Sequence, residues 1–121
     1  MHEMSIASTL IEQVLDIAQA NDAVKVEKIT LQAGQLKQIV NEMLITAWQS
    51  VTIDTIAEGS HLIIEDVPAE VLCKVCSEEF SPNVDNFLCP DCGQADYEIL
   101  KGDELILAAI ECKSKDNIDN A

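Results

Sequence analysis

The sequence contains no arginine: all seven of its basic residues are lysines, against 22 aspartates and glutamates, and the formal net charge is −15. Proteins that bind nucleic acid draw most of their affinity from phosphate neutralisation by Lys and Arg, and base recognition relies on Arg. The composition therefore argues against a nucleic-acid-binding protein. A charge of this size is most simply a source of solubility, although it can also attract cations or a basic partner surface.

Long apolar segments are missing as well. No apolar run approaches the roughly 20 residues needed to span a bilayer. Residues 1–20 do not read as a signal peptide, because they have no basic start and because Glu12 and Asp16 interrupt their apolar stretch. We therefore expect a cytoplasmic protein with no membrane partner. With 121 residues, 48% of them hydrophobic, the chain can form one compact domain with a small appended module.

Motifs that mark common classes of enzyme are also absent. The chain has no phosphate-binding glycine loop and no nucleophile motif. We expect a protein that is not an enzyme. The opposite interpretation, an enzyme that uses Glu3 or the cysteines, has only the presence of those residue types to support it.

Two segments repeat apolar residues at helical spacing. In the first, over residues 5–20, the apolar face consists of Ile6, Leu10, Val14 and Ala18. The second segment begins near Asn41, a suitable N-cap, and runs past Ser50. Its apolar face consists of Leu44, Ala47, Trp48 and Val51. Both periodicities predict amphipathic helices.

Other segments have the character of strands. The stretch VKVEKITLQAG alternates apolar and polar residues with a phase slip at Glu27-Lys28, which predicts a bulged, half-buried strand that ends at Gly34. The stretch HLIIEDV predicts a second strand. In YEILKGDELILAAIE, two strands are joined around Gly102, and residues 105–110 are apolar on both faces, as in a central buried strand.

The order of these elements predicts an α+β fold: a small sheet with two helices, plus an inserted four-cysteine module similar to a zinc ribbon. We expect the α+β domain to comprise residues 1–69 and 97–113, and the metal module to comprise residues 70–96. The chain becomes polar from Lys113, and residues 114–121 are predicted to form a flexible tail.

The module carries four of the five cysteines, in the motifs CKVC and CPDC. Cys73 with Cys76, and Cys89 with Cys92, form two turns that each direct two sulfurs at one point, so that four thiolates can surround one Zn²⁺. Such a site is structural, because no open position is left for water or substrate. Disulfides are disfavoured in a cytoplasmic chain, and a thioredoxin-like dithiol needs a single pair at a helix start. Zinc binding must supply most of the folding free energy of the module, on the order of 10 kcal/mol or more.

Four further side chains are assigned structural roles. Phe80 and Phe87 could stack on nucleic-acid bases, but without a cationic groove around them they are expected to pack the module. Cys112 is interpreted as a small residue at the end of a strand. His61 begins an apolar strand and is more simply structural than a metal ligand.

The first three residues, Met1-His2-Glu3, combine three kinds of metal donor. The Met1 amine and the His2 amide can close one five-membered chelate ring, and the amides of His2 and Glu3 can close another. The His2 imidazole lies within reach of the same ion. Planar nitrogen donors of this kind suit Ni(II) or Cu(II). Taken alone, the motif is weak evidence of function.

Taken with the rest of the chain, these residues resemble the HypA/HybF family of hydrogenase maturation factors, which are nickel metallochaperones. The similarity covers essentially the whole chain. It consists of Met1-His2-Glu3 before an amphipathic helix, the strand ending in Gly34, the stretch AEGSHLIIEDVPAE, both Cys-x-x-Cys pairs and the closing GDELILAAIE. The chain departs from the family pattern at Met4, where relatives often have Leu, and in the first cysteine turn, which lacks the usual glycine.

The resemblance implies that Ni²⁺ is a transient cargo, bound through His2 and nearby main-chain nitrogens of Met1 and Glu3, with Glu3 tuning the binding. It also implies that the four cysteines hold a structural Zn²⁺. The implied partners are a hydrogenase accessory GTPase and the large-subunit precursor of NiFe hydrogenase, and some relatives also serve urease maturation proteins.

One rival interpretation stays open: a zinc-stabilised adaptor that binds a protein partner through its acidic surface, with no role for His2. Under the nickel interpretation, protons compete with the metal for the nitrogen donors. Nickel affinity is then expected to fall below neutral pH while zinc is retained.

Overall fold

The structure is a computed structural model that describes residues 2–82 and 88–114. It has two α-helices, α1 (Glu3–Ala20) and α2 (Asn41–Val51), and a short 3₁₀ helix over Gln35–Lys37. The strands are β1 (Ala23–Gly34), β2 (His61–Val67), β3 (Glu70–Cys73), β4 (Glu79–Phe80), β5 (Tyr97–Lys101) and β6 (Leu105–Ser114). The predicted α+β class is confirmed.

A three-stranded sheet in the order β2-β1-β6 forms the larger unit. β1 runs parallel to β2 and antiparallel to β6. Parallel neighbours need a crossover connection, which α2 supplies, and α1 packs against α2, β1 and β6. The buried core between helices and sheet consists of Ala7, Leu10, Ile11, Val14, Ala18, Val26, Ile29, Leu31, Leu44, Ala47, Trp48, Ala57 and Leu62.

Trp48 is the largest side chain of this core and is only 1% exposed. Its indole Nε1–H donates a hydrogen bond to the hydroxyl oxygen of Ser60 at 2.9 Å. A buried indole usually finds such a partner, since an unpaired donor would weaken the gain from burying the ring. Trp48 therefore joins α2 to the segment that leads into β2.

The bulge predicted in β1 is confirmed. Val26 lies opposite Cys112 and Lys28 lies opposite Glu111, so that Glu27 is an extra residue in the pairing with β6. An extra residue bends the strand and switches the faces on which the following side chains lie. This switch explains the phase slip in the sequence. Further along, Thr30 pairs with Ala109 and Leu31 with Leu107, which leaves an extra residue in β6 as well.

The prediction that residues 105–110 form a central strand is wrong. Among the described strands, β6 pairs with β1 alone and is an edge of its sheet, and Ile106 is 45% exposed. Ile106 does not belong to the core that the helices form with the sheet, which accounts for an apolar side chain in solvent. β6 also continues to Ser114, which the sequence assigns to the tail; residues 115–121 lie outside the described part of the chain.

The cysteine segment has a sheet of its own, in the order β4-β3-β5. β3 leads into the first cysteine turn and β4 follows it. The strands predicted on either side of Gly102 are present, but β5 pairs with β3 and β6 pairs with β1. The sheet of the cysteine segment thus extends to Lys101, and the division of the chain into domains stays a prediction.

The two sheets meet where three backbone segments approach closely. A Cβ added at Gly34 would collide with the carbonyl oxygen of Gly102. Gly102 has φ +95°, and a Cβ there would lie 2.5 Å from the Cα of Ala69. The Leu36 N–H donates to the Gly102 carbonyl at 2.8 Å, and the Ala69 N–H donates to the side-chain oxygen of Gln35 at the same distance. The end of β1 is therefore bonded to both connections that lead to the cysteine segment.

The helix starts differ from the prediction. α1 begins at Glu3, with His2 as its N-cap, and not at position 5. Asn41 is the first residue of α2 and is not its N-cap; that position belongs to Val40. The Asn41 side chain donates to Asp66 at 3.5 Å instead. Within the described residues, no helix combines the length and the apolar character that crossing a bilayer requires.

Candidate metal centres

Two turns of the same construction present the four cysteine sulfurs. The Ser77 N–H donates to the Cys73 carbonyl and the Gly93 N–H donates to the Cys89 carbonyl, both at 2.9 Å. Ser77 and Gly93 occupy equivalent positions with φ +63° and +74°. A left-handed backbone suits glycine and costs more at serine, so the first turn is the more strained of the two.

The turns bring all four cysteines together. The sulfurs of Cys73 and Cys92 lie 3.5 Å apart, as do those of Cys76 and Cys89, and all four lie within 4.8 Å of one another. A tetrahedral Zn²⁺ with Zn–S bonds of about 2.3 Å needs sulfurs about 3.8 Å apart. The separations and the four thiol donors therefore fit a tetrahedral metal ion that prefers sulfur ligands.

The proton affinities of the thiols show where protons compete with a metal ion for this cluster. A hydrogen bond from the Cys76 amide lowers the pKa of Cys73 to about 7. The amide of Glu78 likewise lowers the pKa of Cys76, but the neighbouring Cys89 sulfur and burial outweigh it and raise the pKa to about 12. The Cys76 thiol of a metal-free cluster thus keeps its proton at neutral pH, and an ion that binds it as a thiolate must displace that proton.

The second candidate centre lies at the start of α1. His2 is exposed, and its carbonyl accepts the first helical hydrogen bond, from the Ile6 N–H at 3.0 Å. The amides of His2 and Glu3 precede that bond and have no helical acceptor, as at every helix N-terminus. Met1 lies outside the described residues. The described donors that remain are the exposed imidazole and two amide nitrogens outside the helical hydrogen bonds, of which the Glu3 amide also donates to its own carboxylate.

Glu3 belongs to the same turn but points inward and is only 6% exposed. Its carboxylate Oε2 accepts a hydrogen bond from the Val40 N–H, the N-cap amide of α2, at 3.1 Å. The hydrogen bond from Val40, together with one from its own amide, lowers the pKa of Glu3. Glu3 is therefore ionised at neutral pH and joins the start of α1 to the start of α2.

Two grooves border His2. One, of about 480 Å³, lies between the starts of the helices and is lined in part by the exposed side chains of Met4 and Met43. The other, of about 390 Å³, lies between α1 and β6, with Leu105 and Leu107 in its wall. An ion held at His2 would be reachable from solvent, whereas an ion in the cysteine cluster would be surrounded by its four thiolates.

Three other residues discussed in the sequence, Phe80, Cys112 and His61, lie in described strands. The Phe80 ring packs edge-on against Tyr97, with centroids 5.9 Å apart, as expected for a residue that packs the module. Phe87 lies outside the described residues. Cys112 is half-buried on β6, and His61 is the exposed first residue of β2.

The fold and the four-cysteine cluster are those of a small metal-binding protein, and comparison with known proteins agrees. The model of a family described as "Hydrogenase/urease nickel incorporation, metallochaperone, hypA" matches residues 1–112. A hydrogenase maturation factor HypA from Streptomyces avermitilis is 37% identical over 112 residues, which cover 91% of this chain and 86% of that protein. A second, from Roseiflexus sp., is 37% identical over 112 residues, which cover 92% of this chain and 91% of that protein.

A solved structure agrees as well. The solution structure of the Ni metallochaperone HypA from Helicobacter pylori has a TM-score of 0.68 and 28% sequence identity, and the match covers 95% of this chain and 100% of that one. This chain belongs to the HypA family of hydrogenase maturation factors, the nickel metallochaperones that the sequence resembles.

Sequence reasoning missed the contact between Glu3 and Val40. The two residues lie 37 positions apart, and no local pattern connects a first-turn glutamate with the cap of another helix. The role of Ser77 was partly foreseeable, because the missing glycine of the first cysteine turn indicates that another residue must adopt the left-handed conformation.

Proposed function

We propose that this protein binds Ni(II) at its N-terminus and delivers it for hydrogenase maturation, while Zn²⁺ held by the four cysteines stabilises the smaller sheet. The single observation that carries the nickel site is the exposed His2 at the N-cap of α1. That position puts the imidazole beside amide nitrogens that the helix does not use.

The donor chemistry supports nickel as the cargo. Ni(II) can displace amide protons and favours planar nitrogen ligands, which the Met1 amine, the His2 and Glu3 amides and the His2 imidazole provide. Glu3 contributes differently: its carboxylate holds the first turn against α2 through Val40. We assign Glu3 the role of tuning the site by fixing the chain beside the metal.

The two centres have different roles: the cysteine cluster holds a structural ion and the N-terminus holds the cargo. Four thiolates enclose their ion and leave no position for an incoming ligand, so zinc stays bound. An ion at the exposed chain start can exchange ligands with an acceptor that approaches along either groove. We propose that this acceptor is the large-subunit precursor of NiFe hydrogenase, or a urease maturation protein, and that a cytoplasmic accessory GTPase assists the transfer.

The alternative function is an adaptor that is stabilised by zinc and binds its partner without nickel. The lysine-poor, strongly acidic surface supports it, since such a surface attracts basic partners. The two functions differ in one measurable property, which is nickel binding by the intact N-terminus.

That property can be tested by calorimetric titration of Ni²⁺ into zinc-loaded protein without a tag. We expect one equivalent to bind. A second preparation carries Gly-Ser before Met1, which removes the amine from its place beside the His2 amide and should abolish the one-to-one binding. Equal nickel binding by both preparations would contradict ligation by the N-terminal amine.

Nickel binding should weaken in mild acid. Nickel displaces protons from the amine and the amides and competes with them for the imidazole, so its affinity should fall roughly tenfold or more per pH unit below neutral pH. Equilibrium dialysis at pH 7.5 and 6.5, with both metals measured, would show nickel lost and zinc kept. Release of zinc before nickel would contradict the division between cargo and structural ion.

A further inference from the structure

Methionine is rare in this chain and is concentrated beside His2. One of the three methionines is Met1, which precedes His2 in the sequence. Met4 lies in the first turn of α1, and Met43 lies in the first turn of α2. Both side chains line the groove of about 480 Å³ that His2 also lines. Two thioether sulfurs and one imidazole therefore share a single groove.

The two helix starts that form this groove are fixed against each other. The Glu3 carboxylate accepts a hydrogen bond from the Val40 N–H at 3.1 Å, which bonds the first turn of α1 to the N-cap of α2. One face of α2 forms the opposite wall, with residues at helical spacing i, i+3, i+4 and i+7. These residues are Met43, Thr46, Ala47 and Ser50. Three of them are small, so the groove stays open between the helices.

The core does not account for the two methionines. Met4 is 53% exposed and Met43 is 56% exposed, and neither belongs to the buried core or to the apolar side chains packed against it. Leucine has a similar volume and helix propensity, so it would serve the fold equally well at these positions. What methionine adds is a sulfur atom on a flexible side chain, which can adjust its position to a ligand.

The donors in the groove suit a soft metal ion. Thioether sulfur selects Cu(I), and imidazole also binds copper, whereas Ni(II) takes planar nitrogen ligands. The polar groups nearby are already bonded: the Glu3 carboxylate accepts from Val40, and the Thr46 hydroxyl donates to the Glu42 carbonyl at 2.9 Å. Among the described residues, none of those lining the groove is a lysine that would repel a cation.

We propose that this groove is a Cu(I) site, in which the His2 imidazole and the thioethers of Met4 and Met43 bind one ion. The site needs neither the Met1 amine nor deprotonated amides, so it does not depend on nickel binding at the N-terminus. Because both ligand sets include His2, Cu(I) in the groove and Ni(II) at the N-terminus exclude each other. Each ion therefore lowers the affinity for the other by the same factor.

Nuclear magnetic resonance of the zinc-loaded full chain, with ¹³C-labelled methionine methyl groups, tests the site. Cu(I) is supplied in anaerobic buffer with ascorbate, and a chelator of known affinity sets its free concentration. The methyl signals report on the methionines alone, so copper taken up by the cysteines does not obscure them. The signals of Met4 and Met43 should shift together and saturate. In His2→Ala, the free Cu(I) concentration at half shift should rise roughly tenfold or more.

A methionine outside the groove provides the matched control. Ile17 lies near the other end of α1 and is 44% exposed, so Ile17→Met adds a thioether of similar exposure on the same helix. Its signal should not move at the Cu(I) concentrations that saturate the groove. Signals of Met4 and Met43 that stayed in place, moved only as far as the added one, or responded equally in His2→Ala would overturn the proposal.

A nickel titration separates this site from the proposed cargo site. Met4→Leu combined with Met43→Leu removes both thioethers at nearly constant volume. This double variant should bind nickel with the affinity of the parent, because the nickel ligands are nitrogens. Loss of nickel binding in the double variant would overturn the assignment of the thioethers to Cu(I). Saturable methionine shifts in a parent chain that bound no nickel would support the copper site and contradict the nickel function alone.

Discussion

Replacing Cys73 with serine is expected to remove zinc from the protein and to unfold β3, β4 and β5, while the helices and the β2-β1-β6 sheet stay folded. The smaller sheet has few buried apolar residues, and metal coordination supplies most of the free energy that holds such a module together. Zinc content should fall from one equivalent to less than about a tenth.

The two units can be observed separately, because the chain has one tryptophan and one tyrosine. Trp48 lies in the helical core and Tyr97 lies on β5 against Phe80. The tyrosine signal in near-ultraviolet circular dichroism should disappear in the Cys73→Ser variant, and Trp48 fluorescence should stay native.

The fifth cysteine provides the matched control. Cys112 lies on β6, outside the cluster, so Cys112→Ser should keep its zinc and its tyrosine signal. If Cys73→Ser also retained one equivalent of zinc, the cysteine cluster would not be the site that holds it.

Replacing His2 with alanine is expected to lower nickel affinity by more than roughly 100-fold, because changes in groups that merely support a ligand already cost 10- to 100-fold. His2 is exposed and does not belong to the buried core, so the fold and the zinc content should not change. Calorimetric titration of Ni²⁺ into the zinc-loaded variant measures the loss.

The other histidine is the natural control for this experiment. His61 is also exposed, at the start of β2 and away from the start of α1. The His61→Ala variant should bind nickel as the parent does. Nickel binding that survived His2→Ala would instead favour the adaptor function, with the first three residues forming an ordinary chain start.

The correct predictions came from local patterns. Apolar residues at every third or fourth position identify α1 and α2, since the helical repeat places them on one buried face. The phase slip at Glu27-Lys28 identifies the bulge in β1, because one extra residue reverses the alternation of a strand. These features depend only on neighbours within a few positions in the chain.

The wrong predictions concern neighbours in space. Residues 105–110 are apolar on both faces, yet β6 is an edge strand, because a run of apolar residues does not reveal how many strands lie beside it. Asn41 has the right chemistry for an N-cap, but the amide of Val40 is bonded by Glu3 from another helix. No sequence pattern around Asn41 indicates that the Glu3 carboxylate accepts the hydrogen bond from the N-cap amide of α2.

The sequence by itself determined the family, the two helices, the bulged strand and the four cysteines that two short turns present, because each depends on spacing along the chain. Only the tertiary structure decided that β5 joins the cysteine strands, that Glu3 links α1 to α2, and that one edge of β6 is left without a neighbouring strand in the described part of the chain. Those features arise from contacts between distant residues, where burial and backbone hydrogen bonding choose among several pairings that the sequence pattern allows equally.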